Sequence, residues 1–143
     1  MIVNLQRKVK LETKSFSDFV ESITSIVSEA NGFSFSVAFV SDRRMKELNL
    51  FFRSRDSTTD VLSFPYEADE FDSPPEGGTP NLGDIVISAE QSERQAKENK
   101  LTIDREIKQL ILHGLLHLCG YDHETDNGEM NKRELELRKK LKI

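Results

Sequence analysis

The sequence predicts a single α+β domain over residues 1–143, in which a small mixed sheet of about four strands packs against about five helices. A chain of 143 residues is near the usual size of one domain and is long enough to bury a core. Apolar residues alternate in some stretches, which indicates strands, and recur every three or four residues in others, which indicates helices. The predicted order is strand, helix, strand, helix, strand, strand and then helices, which is typical of the α+β class.

Alternating or short apolar runs predict the four strands at residues 1–6, 33–40, 61–64 and 83–88. The second strand should bury one face, because its four apolar residues at odd positions are Phe33, Phe35, Val37 and Phe39. Residues 67–81 contain three of the four prolines of the chain, and they predict an exposed, mobile loop within the domain.

Two helices are predicted in the N-terminal half of the chain. The first begins with Ser15 or Ser17 as its N-cap and ends at residues 31–32, an Asn-Gly pair. The second is capped at residues 41–42 and ends near Phe52. Each carries apolar residues at helical spacing, so each should bury one face.

Three further helices are predicted in the C-terminal half. A polar helix covers about residues 90–99, and Thr102 can cap the helix that follows it. The broad apolar surface of that second helix predicts that it is the central and most buried one. Asp126 and Glu129 have the spacing of a capping box for the last helix.

All three histidines of the chain lie at the end of the predicted central helix, as His113, His117 and His123. Residues four apart share one face of a helix, so His113 and His117 can direct their imidazoles to one point. Gly120 falls where the helix should end and allows the chain to turn back with His123. Three neutral nitrogens with an open fourth position are typical of a catalytic zinc site. We therefore predict His113, His117 and His123 as metal ligands, with His113 and His117 as catalytic residues.

The residues around these histidines limit the chemistry. The His-x3-His-x5-His spacing is metzincin-like, but Gly114 stands where metzincin peptidases carry the glutamate that activates water. Its absence argues against peptide hydrolysis. Cys119 lies about 200° round a helix from His117, so we expect a small buried apolar side chain rather than a ligand. As the single cysteine, it excludes an internal disulfide and fits a reducing compartment.

Charge and hydropathy restrict the partners and the location. The formal net charge is −5, but residues 56–90 hold nine acidic residues and no Lys or Arg. The remainder holds 16 acidic against 20 basic residues, so a polyanionic substrate is permitted. No apolar run approaches the roughly 18 residues of a membrane span. The N-terminus also lacks the order of regions in a signal peptide, and we predict a cytoplasmic protein.

Three segments of the sequence resemble the YbeY family of bacterial endoribonucleases. Residues 113–123 are similar to the signature of that family. Residues 53–64 resemble its arginine-containing segment that closes in Thr-Asp-Val-Leu-Ser-Phe, and residues 82–88 resemble its Gly-Asp-Ile strand. The order, the intervals and the length agree, so the resemblance covers essentially the whole chain. Thr58 departs from the proline that is common at that position in the family.

The resemblance implies a metal-dependent endoribonuclease with one zinc ion, or another divalent metal, on the three histidines. It implies cleavage of single-stranded RNA in ribosomal RNA maturation, notably at the 16S 3′ end, and a part in ribosome quality control. The implied partners are single-stranded or ribosomal RNA and the small subunit or 70S particle, with neither membrane nor DNA. Two alternatives stay open, namely a metallohydrolase of peptides or small molecules and a non-catalytic ribosome assembly factor with a structural metal.

Several polar residues become candidates for the chemistry. With the resemblance, Arg53 is the candidate for binding the scissile phosphate, because a guanidinium matches phosphate geometry, whereas Arg55 is interpreted as a surface residue. Asp60 and Asp84 can either orient Arg53 or a histidine, or cap their own loops. The candidate proton acceptors are Asp122 and Glu124. Both water and the ribose 2′-hydroxyl remain candidate nucleophiles.

Overall fold

The structure is a computed structural model that describes residues 1–67 and 78–143. These residues form four strands and five α-helices, with one short 3-10 turn at Ser28–Ala30. In chain order, the elements are β1 Ile2–Asn4, α1 Thr13–Ile26, β2 Ser34–Val40, α2 Asp42–Arg53, β3 Val61–Pro65, β4 Asn81–Ser88, α3 Ala89–Glu98, α4 Ile103–Leu118 and α5 Glu129–Leu141. The predicted α+β class, with about four strands and about five helices, is confirmed.

The four strands form one mixed sheet in the order β1-β2-β4-β3. β1 and β4 both run parallel to β2, whereas β3 pairs antiparallel with β4 and forms an edge of the sheet. β3 also lies beside α4, and the Ser63 hydroxyl donates a hydrogen bond to the carbonyl oxygen of Gly114 at 3.3 Å. The helix that carries the histidines therefore stands next to this edge strand.

The two faces of the sheet pack against different helices. The larger core lies between one face and helices α1, α4 and α5, and it includes Phe35, Val37 and Phe39 of β2. A smaller cluster on the opposite face joins Val40 and Leu62 to Met45 of α2. The predicted alternation of β2 is confirmed, except that Phe33 precedes the strand and is 38% exposed.

Helix α4 is the most deeply buried helix, as predicted. Thr102 caps it, because the Thr102 hydroxyl accepts a hydrogen bond from the backbone N–H of Arg105 at 3.2 Å. Burial of each large aliphatic side chain contributes about 1.5–3 kcal/mol. The fully buried aliphatic residues of α4 are Ile107, Ile111, Leu112, Leu115 and Leu116. This burial fixes the helix that presents His113 and His117.

The predicted caps of the first and last helices are wrong. α1 begins at Thr13 without a side-chain cap, so Ser15 and Ser17 lie inside the helix. The reason is that the backbone N–H of Ser15 already bonds to the carbonyl of Glu12 at 3.2 Å, which adds a turn before the serines. α1 also ends at Ile26, and the predicted stop at residues 31–32 follows the 3-10 turn instead.

At α5, the predicted capping box is displaced by two residues. Gly128 is the N-cap, and the Asp126 carboxylate accepts hydrogen bonds from the N–H groups of Gly128 and Met130, both at 2.9 Å. Glu129 accepts from Asn127 at 2.6 Å instead of from Asp126. The two acidic side chains therefore satisfy free N–H groups at the start of the helix, with Asp126 before the N-cap and Glu129 at the first helical position.

Two other features bear on the predictions. Most of the predicted loop at residues 67–81 falls on residues 68–77, which lie outside the described residues, while residues 78–80 are exposed. Within the described ranges, no helix combines the length and the apolar character that crossing a membrane requires.

A close approach between α4 and the sheet occurs at Gly114. A Cβ atom at this position would lie 2.9 Å from Cγ2 and 3.0 Å from Cδ1 of Ile85 in β4. Ile85 is fully buried, so its side chain has little room to move. Position 114 therefore faces the sheet, and glycine lets the helix pack this tightly.

We expect Gly114→Ala to lower the free energy of unfolding by about 1–2 kcal/mol, measured by urea denaturation. Overpacking a core costs about 1–3 kcal/mol, which outweighs the gain of about 1 kcal/mol in helix propensity. Ile85→Ala removes the three contacting carbon atoms, so the double variant should show a favourable coupling in a double-mutant cycle. A net stabilisation by Gly114→Ala alone would contradict this account.

Candidate metal centre

The structure brings the three histidines together at the C-terminal end of α4. His113 and His117 lie one turn apart on this helix, and their Nε2 atoms are 3.2 Å apart. After the helix ends, Gly120 has a φ of +101°, which a side chain would strain, and the chain turns back to His123. One nitrogen from each of the three imidazoles lies within 4.8 Å of the other two. This group can hold a metal ion.

The spacing of the two helical nitrogens fits a tetrahedral metal. Zn–N bonds of about 2.0–2.1 Å at tetrahedral angles place two nitrogens about 3.3 Å apart. The Nε2 atoms of His113 and His117 already have this separation, at 3.2 Å. Both side chains are half-buried, whereas His123 is exposed, so the three rings face an open space and leave room for a further ligand.

The second nitrogen of each helical histidine has a fixed partner. The Nδ1 of His117 donates to the backbone carbonyl oxygen of Tyr121 at 3.0 Å, and the Nδ1 of His113 donates to the Glu134 carboxylate at 3.1 Å. A carbonyl or carboxylate oxygen can only accept, so each Nδ1 carries the proton. The Nε2 lone pairs of both histidines are therefore directed at each other and are free for a metal.

Glu134 is a functional residue that the sequence reasoning missed. It is only 7% exposed and lies on the buried side of α5, between Met130 and Leu137. Burial raises the pKa of Glu134, but the His113 hydrogen bond and the His113 and Arg138 charges outweigh it and leave the pKa below its usual value. The signal for this residue in the sequence is a charged side chain at a position within the apolar stripe of a helix.

The electrostatics of the centre favour a neutral His117 and set Cys119 apart. Burial, together with the nearby charges of His113 and His123, lowers the pKa of His117, which favours the neutral form that a metal requires. Burial raises the pKa of the Cys119 thiol to about 11, which disfavours the thiolate that metal binding needs. Cys119 is half-buried and is not among the residues that can hold the ion.

The three histidines open on a cavity of about 600 Å³ that is also lined by Arg53 and Arg55. Arg53 is the last residue of α2, and Ser54 follows it in the left-handed conformation. This turn leads to Arg55, which also lines the cavity. The structure therefore brings Arg53 to the same cavity as the histidines, and it places Arg55 there as well, as an exposed loop residue.

A network of hydrogen bonds holds the loop after Arg53. The buried Asn49 side chain donates to the carbonyl of Ser57 at 2.9 Å, and the Thr58 hydroxyl donates to Asp42 at 3.1 Å. Asp42 also accepts from the Ser88 hydroxyl at 2.5 Å and forms an ion pair with Arg94. Thr58 thus anchors the loop through a side-chain hydrogen bond.

The remaining acidic candidates take different places. Asp60 lines the cavity, and its carboxylate accepts a hydrogen bond from the N–H of Val61 at 2.8 Å. This bond matches the alternative in which Asp60 caps its own loop. Asp84 is exposed and is not part of the cavity lining. Asp122 and Glu124 both line the cavity beside His123, and Asp122 accepts from the N–H of Glu124 at 3.0 Å.

The fold and the site define an α+β protein with a three-histidine centre that can hold a metal ion. The family described as Endoribonuclease YbeY matches residues 1–142. A relative from Nautilia profundicola is 53% identical over 102 residues, which is 71% of this chain and 68% of the relative. One from Campylobacter jejuni is 42% identical over 84% of this chain and 82% of its own. Both are named Endoribonuclease YbeY.

A solved structure is also similar to this chain. The solution structure of TM1509 from Thermotoga maritima aligns with a TM-score of 0.61 at 31% identity, and covers 95% of this chain and 85% of that one. Together with the family match over nearly the full length, these relatives show that the chain belongs to the YbeY family.

We expect Glu134→Gln to weaken zinc affinity about tenfold, measured by competition with a chelator. The loss should be moderate because the amide oxygen still accepts from His113 but has lost its charge. The control is Glu21→Gln, because Glu21 is an exposed glutamate on α1. This variant should bind zinc with the affinity of the wild type. Equal affinities in all three proteins would show that the carboxylate does not tune the centre.

The Asp42 network should make stability depend on pH. Burial raises the pKa of Asp42, but hydrogen bonds from Ser88, Arg94 and Thr58 outweigh it, so the folded pKa lies below the ordinary 3.8. The stabilisation is therefore complete above pH 3.8 and is lost as pH falls through the lower folded pKa. Asp42→Asn should cost about 1–2 kcal/mol of unfolding free energy at pH 7, and the difference should shrink below pH 3.8. A difference that is constant with pH would contradict this assignment.

Proposed function

We propose that this chain is a zinc-dependent endoribonuclease that cleaves single-stranded RNA. Membership of the YbeY family supports a hydrolase that acts on RNA in rRNA processing. The observation that carries the proposal is the single cavity in which Arg53 and Arg55 line the same space as the three histidines. Cationic side chains beside a metal site suit a phosphodiester substrate.

In this proposal, residues 1–143 act as one domain in the cytoplasm. The substrate is ribosomal RNA, notably the 3′ end of 16S rRNA, and the activity serves rRNA maturation and ribosome quality control. The partners are the small ribosomal subunit or the 70S particle. What supports this assignment is the family membership, together with the cavity chemistry that suits an RNA phosphate.

We assign the metal as zinc because three imidazoles, two of them with a fixed tautomer, are a typical zinc ligand set. His113, His117 and His123 would hold it. A zinc ion there supplies Lewis-acid polarisation of a phosphodiester oxygen. His113 and His117 are catalytic in this sense, and Glu134 and the Tyr121 carbonyl keep their Nε2 atoms directed at the ion.

Arg53 binds the scissile phosphate and stabilises the charge that develops on it. Its guanidinium can donate two parallel hydrogen bonds to phosphate oxygens, which fixes both position and orientation. Arg55 adds a second positive charge to the same cavity. The candidate proton acceptors, Asp122 and Glu124, lie on the histidine side of this space, where they can receive a proton from the attacking water or 2′-hydroxyl.

The packing of Gly114 argues against a peptidase. A peptidase of the metzincin type needs a glutamate after the first histidine, but a side chain at position 114 would collide with Ile85 in the sheet. The described residues therefore have no place for that carboxylate at that position. The cavity beside the histidines argues equally against a metal that serves only to hold the fold together.

The test is cleavage of a labelled single-stranded RNA by the zinc-loaded protein, beside His117→Ala purified in the same way. We expect cleavage that is lost in the variant and on chelation. Equal cleavage by both proteins would reveal a contaminating ribonuclease and would overturn the assignment. If neither protein cleaves naked RNA, the assay is repeated with ribosomal particles as the substrate. Absence of cleavage of the particles by the zinc-loaded wild type would favour the alternative of a non-catalytic assembly factor.

We expect Arg53→Ala to lower kcat/KM for RNA about 100-fold, because it removes a donor that stabilises transition-state charge. Zinc affinity should not change, since Arg53 is not a ligand. The control is Arg43→Ala, because Arg43 lies on the same helix with its side chain 93% exposed and does not line the cavity. An equal loss in both variants would indicate a general effect of positive charge on RNA binding.

A further inference from the structure

Glu29 lies outside the cavity, yet it contacts two segments on which the metal centre depends. It belongs to the 3-10 turn after α1. Its Oε2 atom accepts hydrogen bonds from the Tyr121 hydroxyl at 2.8 Å and from the Arg133 Nε at 3.0 Å. Its Oε1 atom accepts from the Arg133 Nη2 at 2.7 Å. One carboxylate thus joins residues that are 92 and 104 positions away in the chain.

The Tyr121 contact leads to His117 and His123. The backbone carbonyl of Tyr121 is the acceptor for the Nδ1 of His117 at 3.0 Å, and its N–H bonds back to Leu116 at 3.0 Å. Because Tyr121 lies between Gly120 and His123, it belongs to the turn that returns the third ligand. Holding the Tyr121 side chain therefore restrains both the carbonyl that orients His117 and the approach of His123.

The Arg133 contact leads to His113. Arg133 precedes Glu134 in α5, and the Glu134 carboxylate is the acceptor for the Nδ1 of His113 at 3.1 Å. The guanidinium fork of Arg133 on Glu29 has two short, charge-assisted bonds, which restrict both position and rotation. The ion pair therefore fixes the first turns of α5, and with them the position of Glu134.

The Glu29 ion pair is partly shielded from water, with Glu29 25% and Arg133 27% exposed as side chains. Despite some burial, the Arg133 hydrogen bonds lower the pKa of Glu29 to about 2, and the Tyr121 hydroxyl contributes in the same direction. The carboxylate therefore stays ionised at every pH at which the histidines are neutral enough to bind a metal.

We propose that Glu29 is a positioning residue of the metal centre. It holds the Tyr121 segment and the α5 segment, which supply the acceptors for His117 and His113 respectively. Glu29 touches neither the ligand nitrogens nor the cavity, so it acts through these partners. The inference rests on metal binding by the three histidines, which belongs to the proposed function, but it does not depend on RNA cleavage.

The experiment measures zinc affinity of the full chain by competition with a chelator, for the wild type, Glu29→Gln and Tyr121→Phe. We expect about tenfold weaker binding in Glu29→Gln and a smaller loss in Tyr121→Phe. The double variant should bind zinc about as weakly as Glu29→Gln alone, because Tyr121→Phe removes a hydrogen bond to Glu29 that Glu29→Gln already weakens. Tyr121→Phe removes only a hydroxyl, so it tests the link even where Glu29→Gln folds poorly.

The matched control is Glu136→Gln. Glu136 is the other acidic partner of Arg133, at 3.4 Å, and its side chain is 54% exposed. This variant makes the same Glu-to-Gln change in another partner of Arg133. We expect its zinc affinity to equal that of the wild type. A loss as large as that of Glu29→Gln would show that Arg133 pairing in general matters, and would overturn a specific role for Glu29.

A purely structural role predicts a different result. In that case, Glu29→Gln would lower the unfolding free energy of the metal-free protein and leave the zinc affinity of the folded protein unchanged, which would overturn the proposal. Failure of the wild type to bind zinc would overturn it together with the zinc assignment. Zinc binding as expected without RNA cleavage by the wild type would support the role of Glu29 and contradict the nuclease function.

Discussion

The close packing of α4 against β4 determines where the chemistry of this protein can occur. Gly114 leaves no space between the helix and the fully buried Ile85, so the helix cannot rotate or shift outwards without opening the core. The side of α4 that carries His113 and His117 is thereby directed away from this contact and towards the cavity beside the edge strand β3. The same contact removes the position at which a peptidase would carry its general base. One steric constraint thus positions the helix that carries two of the histidines and excludes a glutamate at position 114.

Fixing the helix axis does not by itself aim the imidazoles, because each ring can still rotate about its side-chain bonds. The acceptors at the two Nδ1 atoms supply this second constraint. One is a backbone carbonyl from the turn after the helix, and the other is a buried carboxylate from α5. The two acceptors come from different parts of the chain, so the orientation of the two rings depends on the turn and on α5 together.

The sequence allowed prediction of features that depend on neighbouring residues. The spacing of His113 and His117, the Thr102 cap and the alternation in β2 follow from local periodicity, and the structure confirms the cap and most of the alternation. Glu134 instead contacts His113 across the fold, and its charge within the apolar stripe of α5 is the only local sign of this contact in the sequence. The missed N-terminus of α1 has the opposite origin, since a helix can start without a side-chain cap when backbone bonds alone close its first turn.

The charge of the cavity explains how an acidic protein can take a polyanion. Its lining contains two arginines and three carboxylates, those of Asp60, Asp122 and Glu124, so its formal charge is −1 with neutral histidines. A divalent ion on the histidines changes this value to +1. A bound divalent ion would therefore make this lining more favourable to a phosphate by two formal charges. In the function proposed above, the ion would therefore contribute to substrate binding as well as to the chemistry.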